Sequence, residues 1–208
     1  MSLSIFVRHL RRIFACVVAA IVAFLAPANA ADLQEHTDPL AKPPPQKASA
    51  GNQDVGCLRL SYQDFDQQPG GGWRKIAEEK RFLDAAKLIA YYEKEKQNLA
   101  EWQHVNLRFH AGQLYAIAGR KDEAIACFKK ALYRREPAAS PIRWNAYVQA
   151  TIAFLEGDRK TLLARREEIA KGPKFKGAVV NLDVVDGLIE HFGESYAAAY
   201  GKTKKKPR

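Results

Sequence analysis

The chain has 208 residues, 33 Lys and Arg against 23 Asp and Glu, a formal net charge of +10, and three cysteines. That length buries a sufficient core without a disulfide framework. Nor does the charge mark a nucleic-acid-binding body. Arg8, Arg11 and Arg12 fall in a segment expected to be removed, which takes +10 to +7, and Lys202, Lys204, Lys205, Lys206 and Arg208 in the terminal "GKTKKKPR" leave the rest near +2.

The first thirty residues read as an export signal. A basic opening precedes the uncharged apolar run Ile13 to Ala26, and Ala28-Asn29-Ala30 supplies a small-x-small cleavage site before Ala31. The run is too short to span a bilayer comfortably. Arg11-Arg12-Ile13-Phe14 partly resembles a twin-arginine signal, but Leu10 and Ala15 depart from that pattern, which favours ordinary Sec export. Cys16 sits at the start of the apolar run instead of after it, the wrong place for lipoprotein cleavage. The expectation is a periplasmic or secreted protein.

Residues 31–54, with Pro39, Pro43, Pro44 and Pro45, read as a linker. Cys57 to Tyr62 alternates like a short strand or extended segment. Gly70-Gly71-Gly72 then precedes Trp73. No Lys-Ser/Thr pair and no spaced G-x-G-x-x-G accompany the run, so it reads as a flexible entry turn, a pivot into the first helix pair. The weaker reading gives Arg74 and Lys75 an anion at that helix start. Trp73 and Ile76 are expected to pack under Ala85 and Ile89.

From there the pattern is helical. Helices are expected over 82–98, over 101–118, from a cap at Asp122 to about Arg135, over 142–156 with Pro141 in its first turn, over 159–171, and over 182–192 after a cap at Asn181. Gly119 and Gly157 end two of them, "KGPKFKG" is a break, and Ser195 to Tyr200 makes a last short turn. The helix over 101–118 is apolar on two sides, as one sandwiched between neighbours must be. The domains are thus 1–30 signal, 31–54 linker, 55–200 helical and 201–208 basic tail.

Gly112-x-x-Tyr115, Ala124-x-x-x-Phe128, Ala131 and Pro137 set small residues against large ones in a fixed order. This stretch resembles one tetratricopeptide repeat. Flanking pairs align more loosely, Ala150 and Leu162 downstream with Gly112 and Ala124, Ala85 and Ile89 upstream with Ala124 and Phe128. The upstream pair is about one helical turn short. The resemblance implies an all-α array of antiparallel helix pairs that binds a peptide or partner protein in a groove lined by the first helix of each pair. Carried over by position, the groove residues are Asn106, Phe109, Gln113 and Ala116, then Trp144, Tyr147, Thr151 and Phe154. Phe109 and Trp144 equally suit packing between helices.

No catalytic, cofactor or metal pattern stands out. His104 and His110 point about 240° apart around a helix, and Glu101/His104 lacks the second pair that a di-metal bundle needs. His191 lies between Glu190 and Glu194 near a helix end, where the helix dipole is explanation enough. Cys57 and Cys127 are an even pair that leaves a disulfide open. The sequence therefore points to a binding protein without an enzyme's machinery. The alternative is an inhibitor or immunity-type protein of an envelope enzyme or toxin. A cell-wall-active enzyme would need a cleft with a carboxylate of raised pKa. Nucleic acid is not an expected partner, and the basic tail reads first as a solvated, solubilising end and only second as a contact for an anionic envelope surface.

Overall fold

The computed structural model describes residues 56–138 and 140–201. The export signal, the whole proline-rich linker and all of the basic tail after Gly201 lie outside the described residues.

The chain is predominantly helical. Among the described residues eight α-helices follow in order: α1 (Gly72–Glu78), α2 (Phe82–Glu95), α3 (Glu101–Ile117), α4 (Lys121–Lys130), α5 (Trp144–Glu156), α6 (Arg159–Ala170), α7 (Leu182–Glu190) and α8 (Tyr196–Gly201). Each packs on the next, α5 also meets α7, and α8 returns to touch α3. The connections after α3 and after α5 are short, 118–120 and 157–158 joining each helix to the next. After α3, the amide of Arg120 donates to the carbonyl of Tyr115 at 2.8 Å, with Gly119 left-handed at φ 74° between them. After α5, Asp158 and Ala153 repeat that bond at 2.8 Å across Gly157. Both ends thereby satisfy carbonyls that a helix terminus leaves open.

Helix starts differ from the sequence expectation at three places, one of them Asn181, which stands before α7 in a left-handed conformation without a side-chain cap bond. Asp122 sits inside the first turn of α4, where Arg120 is the boundary residue and pairs with Glu123. The helix expected from Ile142 begins at Trp144, and its cap comes from outside the helix. The Glu136 carboxylate accepts from the amides of Trp144 at 2.8 Å and Asn145 at 3.1 Å, a negative charge where the helix dipole favours one. Asp158 behaves as a local cap, accepting from the Thr161 amide at 3.0 Å.

The expected extended segment at Cys57 to Tyr62 is a correction. The chain forms a 3-10 turn at Cys57–Arg59 and a π-helix at Gln63–Gln67. Ser61 explains the switch: its hydroxyl accepts from the Asp64 amide at 3.2 Å and donates to the Asp64 carboxylate at 2.6 Å, which starts a helical turn. Short apolar alternation did not reveal that local bond.

The glycine run is also not a flexible pivot. Gly72 lies against the backbone of the π-helix, where a Cβ would sit 2.1 Å from the Phe65 carbonyl oxygen, and one on Gly71 would sit 2.8 Å from that of Asp64. Gly72 has φ 48°. These glycines allow two backbones to touch. Trp73 is buried as expected, in a cluster with Ile76, Ala85, Ile89, Leu107 and Leu114, and Phe65 stacks on Tyr92 with centroids 3.7 Å apart.

A second, larger cluster runs from α3 to α8. Phe109 lies at its centre, with ring centroids 5.1 Å from Phe128, 5.1 Å from Trp144 and 5.2 Å from Tyr147. A Cβ on Gly112 would lie 2.8 Å from the Phe128 ring, so the absence of a side chain there sets the approach of α4 to α3. No disulfide joins Cys57 and Cys127, both of which pack partly buried on the first cluster.

Candidate functional site

The inner faces of α3 and α5 meet through their aromatic residues, and this is where the sequence placed a groove. The structure brings Phe109, Gln113, Trp144 and Tyr147 together there and covers them with other parts of the chain. Gln113 is 1% and Tyr147 4% exposed. Phe109 and Trp144 pack between helices, the Trp144 indole donating to the Ala131 carbonyl at 2.8 Å. Thr151 turns back on its own helix, donating to the Tyr147 carbonyl at 3.1 Å. Asn106, half-buried, lies apart from this group and donates to the Tyr62 hydroxyl at 3.3 Å. Ala116 and Phe154 are buried in the larger cluster.

One segment supplies that cover, and a second packs on another part of α3. On one side α8 lays Tyr196 and Tyr200 over the faces of α3 and α5. Gln113 Nε2 donates to the Tyr196 hydroxyl at 3.4 Å, and the Tyr147 hydroxyl bonds that of Tyr200. Burial first, and then the neighbouring Tyr200, push the Tyr147 and Tyr196 hydroxyls well above the usual phenol range, so they remain neutral donors. Gln113 Oε1 is buried without a hydrogen bond.

On the other side the π-helix carries Asp66 inward to 0% exposure. One carboxylate oxygen accepts from the Trp73 indole at 2.9 Å and faces His110 Nδ1 at 2.7 Å. Its second oxygen accepts from the Tyr62 hydroxyl at 3.0 Å and from the Gln67 amide. Arg74 lies over the Trp73 ring at 4.3 Å and donates to the Asp66 carbonyl at 2.8 Å. Burial alone would raise the carboxyl of Asp66. His110, Arg74 and the indole outweigh it and hold the pKa at about 2.

A sealed carboxylate held ionised serves as an electrostatic anchor; a general acid needs its proton near neutral pH and access to a substrate. The arrangement ties the N-terminal turns to the middle of α3. Sequence reasoning passed over Asp66 and Gln67, weighed His110 only as a metal ligand and rejected it, and offered Arg74 only an external anion, as the weaker reading. One signal was present: His110 stands on a helix apolar on two sides, and a buried imidazole needs a partner. The partner lies 44 residues away, beyond any local spacing.

Among the described residues, no helix is long and apolar enough to cross a membrane, and no three His, Cys, Asp or Glu side chains gather where a metal ion would be held. No protein-family model, no curated protein and no solved structure matches the chain.

Proposed function

We propose that this chain is an exported protein–protein interaction module of tetratricopeptide type, which takes a peptide or a partner's short helix on the inner face of α3 and α5. The observation that carries the reading is the occupant already there. A six-residue helix with tyrosines four apart rests on aromatic rings and an amide, and Gln113 Oε1 keeps an unused acceptor beneath it. A partner's helix with aromatic residues at the same spacing would take the place of α8, in the helix-in-groove mode of recognition. The close contact of Gly112 with the Phe128 ring supports the tetratricopeptide likeness, because the family's order of small and large residues exists to allow it. Export rests on the pattern of residues 1–30, and mass spectrometry of the secreted or periplasmic form should give Ala31 as its first residue.

The test supplies α8 from outside. A chain ending at Gly193 is mixed with a synthetic peptide of residues 194–208 carrying a fluorescent label. Saturable binding, lost when Tyr196 and Tyr200 of the peptide are both alanine, is the expected result. A truncated chain that keeps its helical circular dichroism but ignores the peptide would remove the inner face as a receptor.

A further inference from the structure

The segment between α6 and α7 forms a hairpin whose base is held and whose tip is bare. Strands Lys174–Phe175 (β1) and Ala178–Val179 (β2) pair antiparallel, with Lys174 opposite Val179 and Phe175 opposite Ala178. Lys176 at φ 50° and Gly177 at φ 82° make the two-residue turn, both left-handed as that tight turn requires. At the base, Val179 and Val180 pack on the larger core cluster. A Cβ on Gly172 would lie 2.9 Å from the Ile169 carbonyl oxygen and 3.2 Å from the Arg143 side chain, so the chain leaves α6 in a fixed direction.

The tip carries nothing that the fold uses. Phe175 is 41% exposed, and Lys171, Lys174 and Lys176 are exposed around it. From Lys171 to Leu182 the sequence holds three lysines and no acidic residue. Among the described residues none of the three lysines makes an ion pair, whereas the arginines of nearby α6 are engaged, Arg165 with Glu168 and Arg166 with Glu167 and Asp186. Two other large apolar side chains, Tyr91 and Leu163, are comparably exposed. They lie on helix faces beside long charged side chains, an ordinary surface position. Phe175 instead stands beside a turn, with the Lys176 ammonium 5.8 Å from its ring.

We infer that the 174–179 hairpin is a docking finger for an anionic lipid bilayer, with Phe175 entering the head-group layer and Lys171, Lys174 and Lys176 meeting lipid phosphates. An aromatic ring with one wet edge suits the boundary between head groups and acyl chains, and lysines around it supply the attraction to negative lipid. Each lysine brought to such a surface strengthens binding about fivefold. The inference does not depend on the inner face of α3 and α5 receiving a partner, because the finger's tip takes no part in that face.

The test is flotation of the chain from Ala31, which keeps every described residue, with vesicles of equal parts phosphatidylglycerol and phosphatidylcholine, and with pure phosphatidylcholine as reference. Binding is expected only to the mixed vesicles, weakening as salt is added. Lys174→Ala with Lys176→Ala should lower it roughly 25-fold. Phe175→Ala should lower it several-fold with the salt dependence unchanged. Both variants should melt with the parent, since the side chains removed support no core. Lys204→Ser, Lys205→Ser and Lys206→Ser together test the basic tail, and in that background the hairpin substitutions should still act. Binding that follows the tail alone would overturn the inference, and so would a parent that ignores the mixed vesicles. Phe175→Ala binding like the parent would reduce the finger to a patch attracted to any polyanion, and would overturn it too.

Discussion

The two segments that cover the middle helices do so by different chemistry. The N-terminal turns are tied down by a buried charge: Asp66 takes hydrogen bonds on both carboxylate oxygens and faces His110 and Arg74. The C-terminal α8 is held by neutral hydroxyls, one across 3.4 Å, and leaves Gln113 Oε1 unmatched. A charge removed from water makes its cover hard to lift, because lifting either partner alone strands an ion in a dry interior. A tyrosine hydroxyl loses little when water replaces its partner. For this reason the first cover should be the harder to lift and the second the easier.

Substitutions that attack each cover test this contrast, and the largest effect belongs to Asp66. Asp66→Ala leaves His110 and Arg74 facing each other without their carboxylate and should cost about 3–5 kcal/mol in urea unfolding. A loss under about 1 kcal/mol would make the two covers alike. Acid titration asks the same question of the intact chain. The Asp66 carboxyl titrates at about 2 when folded against 3.8 in the reference state, so its contribution is complete above pH 3.8 and fades as pH falls towards 2. That difference is worth about 2 kcal/mol. The acid limb of the urea midpoint should flatten by that amount in Asp66→Asn, and an unchanged limb would place the acid sensitivity elsewhere.

At the other cover, Tyr196→Phe should cost about 0.5–1.5 kcal/mol and speed amide exchange in α8 more than in α3. Gln113→Met should cost under about 1 kcal/mol, since it removes the bonds to the Tyr196 and Tyr200 hydroxyls but with them an unsatisfied acceptor, in a similar volume. If Gln113→Met instead costs as much as Asp66→Ala, α8 is locked and the contrast fails.

Much of the helical order was legible because it is written locally. Gly119 and Gly157 mark two helix ends, Asp158 caps α6, and the two apolar sides of α3 announce a helix packed all round. The Glu136 cap of α5 was hidden, since it acts across a loop where neighbours in sequence give no sign. The site was legible only as positions. The tetratricopeptide alignment selected residues on the inner faces of α3 and α5, and four of those named as groove residues do come together. What covers them depends on where Asp66, Tyr196 and Tyr200 return in space. Contacts across 44 and 83 residues leave no periodic trace.

The π-helix at Gln63–Gln67 carries one further consequence, for insertions and deletions. A wide turn of this kind holds one residue more than an α-helical path of the same direction. Removing Gln63 would relax the backbone towards ordinary helix and turn every residue before the cut by about 100° relative to those after it. Tyr62 would then swing away from Asp66 and Asn106, while Gly71 and Gly72 would still demand close contact with the backbone of 64–65. Many side-chain replacements leave such a segment its path. A change of length by a single residue does not, so exposed Gln63, Gln68 and Pro69 should tolerate substitution far better than the stretch from Ser61 to Trp73 tolerates any gap.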